Sequence, residues 1–430
     1  MKTSKSAANR CGSKSPLDWQ RGFQPKRFLL AVMAAGSVLL TIAPASAQDW
    51  TLTDASTNYQ WQSLACSADG SKWMAAAYDD GFGDGGLVDA STNFGASWTK
   101  TSAPTNCAWQ SVASSTNGAR LVAAVYQDAD ANPGPIYATT NAGLTWKASA
   151  TPTDSWIGVA ASADGSRMVA ADSGSGDGLI YTSTNFGKSW KTTSAPSDFW
   201  ASIASSADGT KLVAADSGYG DGLIYISTNA GGAWTATTAP VNQWASIASS
   251  ADGARLVAAN SGNGDDLIYT SSDAGSTWTA TAAPTNQWAA VTSSADGTQL
   301  VAADSGYGDG LIYASTNSGL SWMATTAPVG YWTAVASSAD GSKLAAAGYP
   351  GGIYTWQSMP VLSIMLARGN LSISWPAASS AAGFVLQAES ALAMNNWVTV
   401  TNLPAQTNGL NQVVMPPPLG GNQFYRLKSP

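Results

Sequence analysis

Between Trp61 and Tyr354 the chain alternates short apolar runs with polar turn residues, and no stretch carries the 3.6-residue spacing of an amphipathic helix. One unit reads Trp200-Ala-Ser-Ile-Ala-Ser-Ser-Ala-Asp-Gly209, then Lys211-Leu-Val-Ala-Ala-Asp216, a glycine-rich loop, Leu223-Ile-Tyr-Ile-Ser-Thr-Asn229-Ala-Gly231-Gly-Ala-Trp234, and Thr235-Ala-Thr-Thr-Ala-Pro240. Ala-Asp-Gly, Ser-Gly-x-Gly-Asp-Gly, Thr-Asn-x-Gly and Ala-Pro are turn chemistries, so each unit predicts four short strands. The closing tryptophans Trp98, Trp146, Trp190, Trp234, Trp278 and Trp322 are 44 residues apart after a single 48-residue step. Four strands at this period predict the blades of an all-β propeller, and the period is too long for one coil of a simple β-helix.

Two counts set the number of blades. Strand-opening tryptophans stand at Trp61, Trp109, Trp156, Trp200, Trp244, Trp288 and Trp332, and the Asp-Gly or Asn-Gly turns that follow start at Asp69, Asn117, Asp164, Asp208, Asp252, Asp296 and Asp340. Both give seven. The seventh unit stops after Gly352-Ile353-Tyr354 without a fourth strand, while an orphan Trp50-Thr-Leu-Thr-Asp54 matches Trp234-Thr-Ala-Thr-Thr238. The expected fold is therefore a seven-bladed propeller closed by its N-terminal strand, an arrangement that leaves no open sheet edge.

The hairpins between third and fourth strands read Ser91-x-Asn93-x-Gly95-x-x-Trp98, Thr139-x-Asn141-x-Gly143-x-x-Trp146, Ser183-x-Asn185-x-Gly187-x-x-Trp190, Ser227-x-Asn229-x-Gly231-x-x-Trp234, Ser271-x-Asp273-x-Gly275-x-x-Trp278 and Ser315-x-Asn317-x-Gly319-x-x-Trp322. This pattern resembles the Asp-box (BNR) repeat, with Asn in place of Asp in five of six copies. Either side chain can accept local backbone N–H groups, glycine permits the positive-φ turn and tryptophan packs beneath it, so the box reads as a folding device. The resemblance implies a propeller. It does not choose among that family's sialidases, xyloglucan-type glycosidases, sortilin-like receptors and photosystem assembly factors.

Residues 1–47 read as a secretory leader: seven basic residues, the apolar run Phe28–Ala43 and the small-x-small site Ala45-Ser46-Ala47. The apolar run is shorter than the roughly 20 residues of a spanning helix, so a cleaved chain, secreted or held at the cell surface or in the periplasm, is expected. Cleavage near Ala47 removes those seven bases and Asp18, which moves the net charge from −7 to near −13. That excess of acid excludes a phosphate-backbone partner. Only Cys66 and Cys107 then remain. They are expected roughly 15 Å apart at about 3.3 Å per residue, too far for a disulfide.

Candidate chemistry is sparse. The chain has no histidine, and its only glutamate, Glu389, lies outside the repeats. The propeller arginines Arg120, Arg167 and Arg255 occupy a repeat position also filled by Lys72, Lys211, Gln299 and Lys343, which suggests solvated positions rather than an arginine cluster. Sialidase, Ser-His-Asp, Cys-His and zinc chemistry lack their residues. A two-aspartate glycosidase needs an acid pair that breaks the repeat, and the sequence singles out none. The expected role is non-catalytic binding of a glycan or extracellular protein, by a monomer, through the face opposite the Asp boxes; a glycosidase and a structural surface protein are the alternatives. On that face the loops place Phe82, Asp84, Asp177, Tyr219, Asp221, Asp265, Tyr307 and Asp309, aromatics beside carboxylates. Asp128, Asp130 and Asn132 alternate as in a calcium loop, but the glycine comes one position late. No other cofactor is indicated. After Trp356 the repeat ends, and residues 357–430 alternate like a small β-sandwich resembling fibronectin III or immunoglobulin modules, which leaves 48–356 as the propeller.

Overall fold

A computed structural model describes residues 30–33, 50–79, 85–128, 130–174, 177–218, 222–261, 266–349, 351–358, 362–367, 369–376, 384–390, 397–407, 410–417 and 422–428. The repeat folds as successive four-stranded antiparallel sheets of one pattern. In one of them Trp200–Ser205, Leu212–Asp216, Ile224–Ser227 and Thr235–Ala236 pair in chain order. The second strand is buried along its whole length, which accounts for its unbroken Leu-Val-Ala-Ala sequence. The two-residue fourth strand is exposed on both residues and reads Thr-Ala.

The core lies between sheets. Val213, Ala215 and Ile224 of one sheet pack with Trp244, Ile247, Leu256 and Ala258 of the next, and the same set recurs along the repeat. Alanine at 0 % exposure in the middle of each second strand lets neighbouring sheets approach closely. The opening tryptophans, all at 0–2 % exposure, fill the wedges that open between them.

Neighbouring sheets are also clamped by long side chains. The ammonium of Lys211 donates to the carbonyl of Asp252 at 2.8 Å, Lys72 to Asn117 at 2.9 Å, and Arg255 to Asp296 at 3.0 Å. Gln299 makes the same bond to Asp340 at 2.7 Å, and Lys343 reaches Asp69 at 2.9 Å. Arg255 is exposed, Lys72, Lys211 and Gln299 are half-buried and Lys343 is buried, so positions read as solvated also carry a bond across the seam. Each spans to the next turn, and a long donor is all the bond requires. The stem lies against the glycine of that turn: a Cβ on Gly253, at φ +65°, would sit 2.8 Å from Lys211 Cδ. Backbone bonds run alongside, from Ala163 N–H to Ala207 O, Ala207 to Ala251, Ala251 to Ala295, Ala295 to Ala339 and Ala339 to Ala68. Cys66 joins the Ala339–Ala68 seam by donating its thiol proton to Ser337 O at 3.2 Å, and burial pushes that thiol up to about 12. Both Cys66 and Cys107 are free thiols.

The strand Gly352–Gln357 finds its outer partner at the start of the repeat region, with Thr51 opposite Thr355 and Leu52 opposite Tyr354. Beyond it, Ser363–Ala367, Asn370–Pro376, Leu410–Met415 and Ala405–Thr407 form one sheet. Val385–Glu389, Val398–Thr399 and Asn422–Lys428 belong to another. Leu371, Ile373, Trp375, Leu386, Val413, Tyr425 and Leu427 form a core distinct from those of the repeat. Leu30–Met33, expected to lie outside the fold, pairs antiparallel with Asn422–Tyr425, where an apolar segment meets an otherwise open sheet edge. Among the described residues no helix is long and apolar enough to cross a membrane.

Candidate binding site

The loops opposite the Asp boxes are built by the last residue of each second strand. Asp216 accepts the N–H of Gly218 at 2.8 Å, Asp304 that of Gly306 at 3.0 Å, and Asp172 that of Leu179 at 3.0 Å, so these carboxylates tie down their own loops. Each loop then bridges to the residues preceding the next sheet, Gly178 with Asp198 and Gly222 with Asn242, and the indoles of Trp156 and Trp200 donate to the carbonyls of Gly134 and Gly178 at 3.0 Å. A Cβ at position 222 would stand 2.1 Å from Asp216 O, which leaves room for glycine alone.

Of the expected rim residues, Asp177 and Asp309 are exposed on such loops, with two sheets between their own. Asp309 follows the Gly306–Gly308 turn, which contains the backbone of Tyr307, and its charge adds to burial in holding the Asp304 carboxyl above its usual range. Phe82, Asp84, Tyr219, Asp221 and Asp265 lie outside the described residues. In the calcium-like segment, Asp128 Oδ1 accepts the N–H groups of Asp130 and Asn132 at 2.9 Å each, so this carboxylate is engaged by its own turn.

Two acid pairs, which the sequence reading did not single out, distinguish one sector of this face. Asp172 is hydrogen-bonded to Asp154 and Asp216 to Asp198, each pair linking the end of a second strand to the segment that precedes the first strand of the same repeat. Burial first, and the partner carboxyl with it, push Asp172 and Asp216 up to about 6. The corresponding pairs elsewhere are Tyr59 with Ala77, Cys107 with Val125, Asn242 with Asn260, Asn286 with Asp304 and Gly330 with Gly348. The legible signal was the residue two places before the opening tryptophan. Carboxyls in direct hydrogen-bond contact leave no room between them for a glycosidic bond, whose hydrolysis needs about 5 Å or more.

The innermost strands surround a cavity of about 850 Å³ that opens on this face. Its lining contains no charged side chain among the described residues. Phe199 and Gln243 stand with Ser173, Ser217 and Ser261 of the loops, and Gln62, Gln110, Ala201, Ala245 and Ala289 come from the strands. Several channel serines are committed to the fold: the hydroxyls of Ser63, Ser111, Ser202 and Ser246 accept the N–H groups of Val112, Val159, Ile247 and Val291 at 3.1 Å.

Residues 180–193 match the BNR-Asp box repeat family. Among curated proteins, none matches the sequence. The fold is similar to that of the GH74 xyloglucanase from Xanthomonas campestris, at 13 % identity and a TM-score of 0.57 over 76 % of this chain. This chain spans 59 % of that enzyme. YCF48 from Cyanidioschyzon merolae is similar at 14 % identity and a TM-score of 0.55, over 73 % of this chain and 99 % of that one. A structure of YCF48 bound to D1 peptide aligns at 12 % identity and a TM-score of 0.54, over 74 % and 98 %.

Proposed function

We propose that this chain, an Asp-box (BNR) repeat β-propeller, is an exported recognition module that binds an extracellular glycan without hydrolysing it, through the face opposite the Asp boxes. The observation that carries this reading is the cavity on that face, whose volume falls within the roughly 300–1,000 Å³ of ligand sites and whose described lining has polar and aromatic groups but no carboxylate. Among the described residues, Asp172, Asp216 and Asp304 of these loops are engaged in their own loops or in contact pairs, so none of the three is poised as an isolated acid or nucleophile. In this reading the leader ends near Ala47, residues 48–356 form seven blades closed by the Trp50–Asp54 strand, and 357–430 form a fibronectin-III-like attachment module. The mature protein works as a monomer in the secreted or cell-surface compartment.

Residues 48–430 applied to arrays of neutral and acidic glycans, and to soluble polysaccharides assayed for new reducing ends, test the proposal. Binding without release of reducing sugar is expected. Steady release would replace it with a glycoside hydrolase, and capture of extracellular proteins with no glycan bound would replace it with protein recognition.

A further inference from the structure

The inner-strand position directly after each opening tryptophan breaks the repeat in a way that the sheets do not need. It reads Gln62, Gln110, Ile157, Ala201, Ala245, Ala289 and Thr333, and all seven residues line the cavity. Two adjacent sheets thus send carboxamides into a channel whose other side is walled by three alanines. Neither amide makes a hydrogen bond within the protein among the described residues, whereas the neighbouring serines do.

A carboxamide offers two donors and an acceptor on one planar group, the complement of vicinal hydroxyls. Facing alanines and the Phe199 ring at the mouth offer apolar surface to C–H faces. A charged ligand would leave water for a channel without a counter-charge, at a large desolvation penalty, and an anion would also meet the field of a protein near −13. We infer that the channel takes the end of an uncharged oligosaccharide, with Gln62 and Gln110 hydrogen-bonding its hydroxyls against the Ala201–Ala245–Ala289 wall. The inference rests on the recognition reading above and moves the contact from the rim loops into the channel.

The test is calorimetric titration of the 48–430 protein with short neutral oligosaccharides (cello-, xylo-, manno-, malto- and galacto-series) and with oligogalacturonate. At least one neutral series should bind, with affinity levelling off once the chain is longer than the channel, and oligogalacturonate should not. Gln62→Met and Gln110→Met keep the side-chain length and remove the amide. Each should weaken binding by roughly three- to tenfold with an unchanged melting temperature. Ala245→Trp, which puts an indole on the alanine wall and narrows the channel there, should weaken binding at least as much as either amide loss. Neutral-glycan binding that is indifferent to all three substitutions overturns the channel site and leaves recognition elsewhere on the face. Preferential binding of oligogalacturonate overturns the uncharged class, and no glycan binding at all overturns both readings.

Discussion

Single residues on this face matter through the company that the fold gives them. Asp154 and Asp172 are eighteen positions apart in the chain and share one hydrogen bond, a proximity that no local pattern announces. What the sequence did show was substitution: where these sheets have Asp with Asp, another has Asn242 with Asn260, so two amides satisfy the same place. In the fold Asp172 holds its proton up to about 6, against about 3.9 for a free aspartate. A carboxyl raised by folding favours the native state only while protonated. Protonated Asp172 and Asp216 therefore contribute stability below about pH 4 that is lost as pH rises through 6. Asp172→Asn and Asp216→Asn should each stabilise the protein by about 1–2 kcal/mol at pH 7.5 and by much less at pH 4. Urea midpoints at the two pH values measure this, and equal losses of stability at both would contradict the shared proton.

At the scale of the element, the Asp-box hairpin is a hydrogen-bond device with interchangeable parts, and it was the most legible feature of the chain. Ser227 is buried; its hydroxyl accepts Gly231 N–H at 2.9 Å and donates to Asn229 Oδ1 at 3.0 Å, which in turn accepts Ala233 N–H at 2.8 Å. Asp273 makes the equivalent bond to Thr277 N–H at 2.8 Å, so the frequent Asn for Asp leaves the device intact. Ser227→Ala orphans a buried N–H and should cost about 1–3 kcal/mol by denaturant titration, while Asn229→Asp should change stability by less than about 0.5 kcal/mol. Comparable effects of the two would show that the serine is not the anchor. The clamps were harder to read. Turn chemistry assigns Lys211 to its own hairpin and is silent on a carbonyl 41 residues ahead, and only the tolerance of Gln299 at the same position hinted that a donor, not a charge, is wanted. The channel glutamines were hidden for a related reason: strand alternation separates two faces but does not say which residues of an innermost strand look down a shared axis.

Across the whole molecule, the same bond types that link each sheet to the next also link the last to the first. Ala339 N–H donates to Ala68 O at 2.8 Å and Lys343 Nζ to Asp69 O at 2.9 Å, while Trp50, almost fully buried, donates its indole proton to Thr325 Oγ1 at 3.1 Å as its strand pairs with Gly352–Gln357. If the Trp50–Asp54 strand closes a ring, removing it uncovers the edge of Gly352–Gln357 and unseats a tryptophan that no other residue can replace. A chain beginning at Ala55 should then lose at least about 3 kcal/mol, the usual cost of deleting a buried tryptophan, and should self-associate through the bare edge. The loss should be reversible in trans. A synthetic peptide of residues 48–56 added to the truncated protein should raise its melting temperature in a concentration-dependent way, as any ligand of the native state does, and a peptide with Trp50→Ala should not. A truncated chain as stable and monomeric as the full one, and indifferent to the peptide, would mean that the sheets hold together without a closing strand.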